Sequence, residues 1–150
     1  MENFRPNIKM IAVGDLFDYI EKFFGQAEHV SIRFDYVPGT MIPADENYLR
    51  TIMQNLTSNA IRALKSTPDA VIEWKATTDK DKVILSISDN GPGIEPARAK
   101  SLFDESVVSN EKTGFGLHLI RDLAKAIRYK IAVQSEPGQG TTFILSNMAA

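Results

Sequence analysis

The chain predicts an α+β fold of two layers, with helices packed on one face of a mixed, mostly antiparallel sheet. Two observations carry this. Apolar residues recur at helical spacing in residues 13–26, 45–64 and 117–127, and at the two-residue spacing of strands in 30–36, 71–77, 83–89, 129–135 and 141–146. The order of these segments does not repeat strand, helix, strand, so a sheet of parallel crossovers is disfavoured.

In residues 13–26, Leu16, Phe17, Ile20, Phe23 and Phe24 form an apolar side opposite Asp15, Asp18, Glu21 and Lys22, and Gly25 marks the end. Val30, Ile32, Phe34 and Tyr36 then alternate with Ser31, Arg33 and Asp35, as in a half-buried strand, before Pro38 and Gly39 turn the chain. The longest helix is expected from Asp45 to Leu64. Leu49, Ile52, Met53, Leu56, Ala60, Ala63 and Leu64 make its buried side, and Asn55, Asn59 and Arg62 line up beside it at i, i+4 and i+7.

Residues 71–77 and 83–89 form an antiparallel hairpin joined through Asp79, Lys80 and Asp81, a turn that lacks the tight Asn-Gly signature. Trp74 within it reads as core. A short helix is expected over 96–102. Residues 104–113 follow as a long polar connection with the look of a lid. The last two strands are joined by Pro137-Gly138-Gln139-Gly140.

A chain of 150 residues supports one core and one domain. With no cysteine there is no disulfide framework, thiolate nucleophile or cysteine-bearing metal site. A formal net charge of -2 argues against a broad electrostatic attraction to nucleic acid. No run of about 18 apolar residues suggests a membrane span, so no membrane contact is expected of this segment. The expected location is cytoplasmic, with any membrane anchor of a longer protein lying elsewhere.

The chemistry concentrates in separated motifs. Asn55-x-x-x-Asn59 and Arg62 give a helix face rich in polar ligands. Asp89-Asn90-Gly91-Pro92-Gly93-Ile94 puts a carboxylate at a strand end before a glycine turn, and Gly114-Phe115-Gly116-Leu117 is a second glycine turn opening a helix. Gly138-x-Gly140-Thr141 is a third. Together these are the parts of a nucleotide pocket. The Gly-Lys-Ser/Thr ending of a Walker loop is absent.

In order and spacing, these motifs resemble the catalytic, ATP-binding domain of two-component sensor histidine kinases. That domain has the Bergerat fold of a wider superfamily including DNA gyrase, Hsp90-type chaperones and MutL proteins. The likeness runs from an opening strand at residues 4–8 to the terminal hairpin. It implies ATP and Mg2+ as ligands, with Asn59 on the metal and Asn55 and Arg62 completing the catalytic metal and phosphate network. Asp89 would accept from the adenine amino group, Gly91 and Gly93 would let the turn approach the base, and Ile94 would wall it.

Gly114, Phe115, Gly116 and Leu117 would close a lid over the triphosphate, with Lys112 reaching it, Phe103 ahead of it and Thr141 joining the adenine network. His118 stands where many members carry glycine and is assigned to the surface. His29 lacks the setting of a phosphoacceptor.

The resemblance also implies an upstream dimerisation and phosphoacceptor domain bearing the histidine that receives the γ-phosphoryl group, and indirectly a response regulator. An anti-sigma-factor-like serine kinase and a nucleotide-responsive scaffold without transfer remain as alternatives from the residues alone.

Overall fold

The computed structural model describes residues 5–27, 29–94 and 117–148. Their elements run β1 (Lys9–Ala12), α1 (Val13–Phe24), β2 (Val30–Asp35), β3 (Met41–Ala44), α2 (Glu46–Ala63), β4 (Ala70–Asp79), β5 (Lys82–Asp89), α3 (Leu117–Ala126), β6 (Tyr129–Ser135) and β7 (Thr141–Asn147). Five strands form one sheet in the order β2-β4-β5-β7-β6. The β2–β4 pair is parallel and the other three are antiparallel. The helices cover one face, as expected of the two-layer α+β class.

Alternation along each strand decides which residues meet the helices. On β4, Ala70, Ile72, Trp74 and Ala76 are buried, as are Val83, Leu85 and Ile87 on β5 and Phe143 and Leu145 on β7. Trp74 is fully buried, and its indole N–H donates to Thr57 Oγ1 on α2 at 3.0 Å, which satisfies the one polar atom of a large apolar side chain. Thr57 in turn donates to the Met53 carbonyl at 2.7 Å. Phe17 of α1 meets Trp74, Phe34 and Tyr36 at ring separations of 6.2, 5.2 and 5.2 Å.

Asp45 starts α2. Its Oδ1 accepts from the N–H groups of Asn47 and Tyr48, two of the donors that a helix start leaves unpaired, and its Oδ2 accepts the Asn7 N–H at 2.7 Å. Across the α1–α2 joint, Tyr19 donates to Gln54 Oε1 at 3.0 Å while Arg50 lies 4.5 Å from the Tyr19 ring centroid.

Four details differ from the sequence reading. Residues 5–8 carry no strand; the opening strand is Lys9–Ala12, paired antiparallel with the unforeseen β3. Both are four residues long, too short for alternation to register, and Pro43 lies within β3. Phe23 is 57% exposed because α1 ends one residue later with little to cover it, and Ala63 is exposed while Thr57 takes a buried place on α2. The β4–β5 turn is tight: Asp79 pairs with Lys82, and Lys80 and Asp81 both adopt positive φ, 52° and 69°. That is the two-residue hairpin geometry usually given to Asn-Gly, here made by residues that pay for it in strain.

Candidate functional site

The inner face of the sheet changes character in its last row. Register places Ile72, Asp89, Thr141 and Ser135 side by side across β4, β5, β7 and β6. The next row, Trp74, Ile87, Phe143 and Val133, is apolar. Three adjacent strands therefore end on a carboxylate and two hydroxyls at the edge of the core. Among the described residues Thr141 is one of three buried polar or charged residues, at 8% exposure.

The two glycine turns that follow β5 and β6 lock onto each other. A Cβ on Gly93 would lie 2.1 Å from the Glu136 carbonyl oxygen, and one on Gly140 would lie 2.1 Å from the Asp89 carbonyl oxygen; both residues hold φ near +80°. The Gly138 N–H donates to the Pro92 carbonyl at 2.7 Å, and the Ile94 N–H donates to Ser135 Oγ at 2.7 Å. Apart from the Ile94 contact, which reaches a side chain, these approaches join backbone to backbone, so at Gly93 the missing side chain makes room for the neighbouring turn. Gly91 serves another contact. Its N–H donates to Asp89 Oδ1 at 2.9 Å, and a Cβ there would meet Leu64 Cδ2 at 3.2 Å, which seats the turn under the end of α2.

Asn90 has a separate task. Its side chain accepts the Val71 N–H at 2.8 Å and donates to the Asp69 carbonyl at 2.9 Å, fastening the end of β5 to the start of β4.

On α2, the stripe expected from the sequence is present. Arg62 donates through Nη1 to Asn59 Oδ1 at 3.2 Å, and Asn55 Nδ2 donates to the Thr51 carbonyl at 2.8 Å. Asn59 Nδ2 is buried without a partner, an uncommon state for an amide. Asn59 is thus half-satisfied by its protein neighbours.

Burial raises the Asp89 pKa above the ordinary carboxylate value. The backbone N–H groups of Gly91 and Thr141 pull it back in part by donating to the ionised form. Among the described residues no cluster of three His, Cys, Asp or Glu side chains is arranged to hold a metal.

Asp89, Gly91, Gly93, Ile94 and Thr141 come together at one end of the inner face, and Gly91 joins them to the end of α2, the helix that carries Asn55, Asn59 and Arg62. Leu117, the first residue of α3, lies in the core at 5% exposure, His118 is half-buried and His29 is exposed. Lys112, Gly114, Phe115 and Gly116 lie outside the described residues, as do Phe103, the helix expected at 96–102 and the lid expected at 104–113. Sequence reading missed Ser135. Its signal was the phase of β6: counting in twos from buried Tyr129 puts residue 135 on the inner face, beside the first residue of β7.

Residues 44–148 match the sequence family of histidine kinase-, DNA gyrase B- and HSP90-like ATPases. The chain is 30% identical over 127 residues to the alginate biosynthesis sensor protein KinB of Pseudomonas aeruginosa, covering 81% of this chain and 21% of that protein. It is 32% identical over 126 residues to the signal transduction histidine-protein kinase AtoS of Escherichia coli, covering 80% of this chain and again 21% of the relative. The chain therefore spans about a fifth of the length of these two proteins.

Among solved structures, the catalytic domain of histidine kinase ThkA aligns with a TM-score of 0.79 at 20% identity, covering 94% of this chain and 95% of that one. Full-length ShkA in complex with AMPPNP aligns with a TM-score of 0.80 at 24% identity, covering 98% of this chain and 33% of that one. At such identities the structural likeness shows the fold.

Proposed function

We propose, because the chain belongs to the histidine kinase-, DNA gyrase B- and HSP90-like ATPase family, that it binds Mg2+-ATP and donates the γ-phosphoryl group to a histidine. That histidine lies on an upstream dimerisation and phosphoacceptor domain, which would pass the phosphoryl group on to a response regulator.

The observation that carries the choice of transfer over hydrolysis is Asn55. In the chaperone and gyrase branches of the resemblance, a glutamate four residues before the metal-binding Asn activates water. Here that place holds an amide whose N–H is committed to its own helix at the Thr51 carbonyl. An amide has no basic form to take a proton from water. A nucleophile that brings its own lone pair, such as a neutral imidazole nitrogen, does not need that base.

The residues fit their parts. Asp89 accepts from the base amino group. Asn59, with Asn55 beside it, would hold Mg2+ through amide oxygens, and the cation when bound would offset charge on the phosphates. Arg62 now rests on Asn59 Oδ1; moving to a phosphate oxygen would release that oxygen. In the transfer, the bond between the γ-phosphorus and the β–γ bridging oxygen breaks as a phosphorus–nitrogen bond forms. ADP leaves with the electron pair and the imidazole loses its proton to solvent.

The test is to supply γ-labelled ATP and a dimerisation and phosphoacceptor domain. Acid-labile, base-stable label on that domain is expected. Acid-stable phosphoserine on a partner would favour the serine-kinase alternative, rapid ATP turnover without an acceptor would favour hydrolysis, and ATP binding with persistently absent transfer would favour the scaffold.

A further inference from the structure

Ser135 stands where the two glycine turns meet the polar row. Its Oγ lies 2.7 Å from the Ile94 nitrogen, 3.0 Å from the Gly140 carbonyl oxygen and 2.9 Å from Thr141 Oγ1. A backbone N–H can only donate and a carbonyl can only accept. Ser135 thus receives from Ile94 and gives its single proton to Gly140. The third contact must then be donated by Thr141, since Ser135 has no second proton to give. Thr141 is left with lone pairs alone for anything else it meets. Beside it in register is Asp89, which in its ionised form is also an acceptor only.

We propose that Ser135 is a specificity-determining positioning residue: by accepting the hydrogen bond that the Thr141 hydroxyl donates, it leaves Thr141 only as an acceptor, so that the base end of the site presents two acceptors and selects a base edge that donates. The ligand class is a 6-aminopurine nucleotide. A 6-oxopurine would set carbonyl lone pairs against those of Asp89 and Thr141, and it is rejected because a buried acceptor facing an acceptor leaves both unpaired. This deepens the ATP reading and rests on it, adding a residue that never needs to touch the nucleotide.

Equilibrium titration of the whole chain with ATP and with inosine triphosphate, which differs in carrying the 6-oxo group, measures the discrimination. The wild-type protein is expected to favour ATP by about tenfold or more. Ser135→Ala removes the acceptor of the Thr141 proton, which becomes free to be donated to a 6-oxo group. The ratio should fall by about tenfold, more than any common loss of affinity for the two nucleotides. Thr141→Val removes one acceptor and adds no donor, so a smaller fall in the ratio is expected. That variant carries the test if Ser135→Ala does not fold.

A purely structural Ser135 would weaken both nucleotides equally. Saturable ATP binding with an unchanged ratio in the variants would overturn the inference and leave the pocket standing. Absence of saturable ATP binding by the wild-type chain would overturn both.

Discussion

Asp89 and Thr141 occupy facing register positions on β5 and β7, and the Thr141 backbone N–H donates to the Asp89 carboxylate. The carboxylate is therefore held in place by the strand that carries its hydroxyl neighbour. Asp89 also accepts from Gly91. These contacts fix an ionisable group at the boundary of the core, where burial disfavours its charge.

The first prediction follows from that conflict. Only the ionised carboxylate accepts without also donating, so ATP affinity should fall as pH drops through the Asp89 pKa. Because burial raises that pKa, the loss should begin at a higher pH than for an exposed aspartate, which titrates near about 3.9. Stability of the ligand-free protein carries the opposite sign. A raised carboxyl pKa means the fold prefers the neutral form, so this group's contribution is fully present at low pH and is lost as pH rises through the folded pKa. Titrations of binding and of thermal unfolding against pH, compared with Asp89→Asn, should show both limbs in the wild type and neither in the variant.

A second prediction separates two glycines of like conformation. Gly138 and Gly140 both hold φ near +80°, yet a Cβ on Gly138 meets nothing within 4 Å while one on Gly140 would strike the Asp89 carbonyl at 2.1 Å. Gly138→Ala should cost about 1–2 kcal/mol of stability, the conformational term alone. Gly140→Ala should cost clearly more and shift the Asp89 strand end. Equal denaturation midpoints for the two variants would show that the turns are not locked as described.

Much of this was legible beforehand because period is a strong signal over long segments. The eighteen residues of α2 announced both a buried side and the Asn55, Asn59, Arg62 stripe. Strand β6 was bounded at the observed residues. What failed was short or set by tertiary contact. Strands β1 and β3 have four residues each and exist through each other. At the site, Asp89 and Thr141 stand out in the sequence as separate motif residues; their adjacency, and the place of Ser135 beside them, is a matter of register that only the paired strands settle. The glycines at 93 and 140 were visible as glycines, but that their bare faces meet the opposing turn was not.

A third prediction concerns the hairpin tip. Lys80 and Asp81 both adopt positive φ, which costs ordinary residues about 1 kcal/mol or more each. Replacing the pair with Asn-Gly should raise stability by about 1 kcal/mol or more with nucleotide binding unchanged, since the tip lies at the far end of β5 from Asp89. A lowered melting temperature would contradict the turn geometry.

The fourth prediction divides function from stability at Asn59. Its Nδ2 is buried and unpartnered, so Asn59→Ala removes an unsatisfied group and adds a better helix former. Thermal stability should hold or rise slightly, while the Mg2+-dependent part of ATP binding, or transfer, falls. Loss of both in parallel would mark Asn59 as a structural residue.

The most direct measurement is an equilibrium titration of the chain with ATP, with and without Mg2+, for the wild type and Asp89→Asn. One saturable site is expected, strengthened by Mg2+ and weakened about tenfold or more in the variant, which exchanges an acceptor for a donor at the base. Absence of saturable binding by the wild type, or equal affinity in a folded Asp89→Asn, would contradict the account.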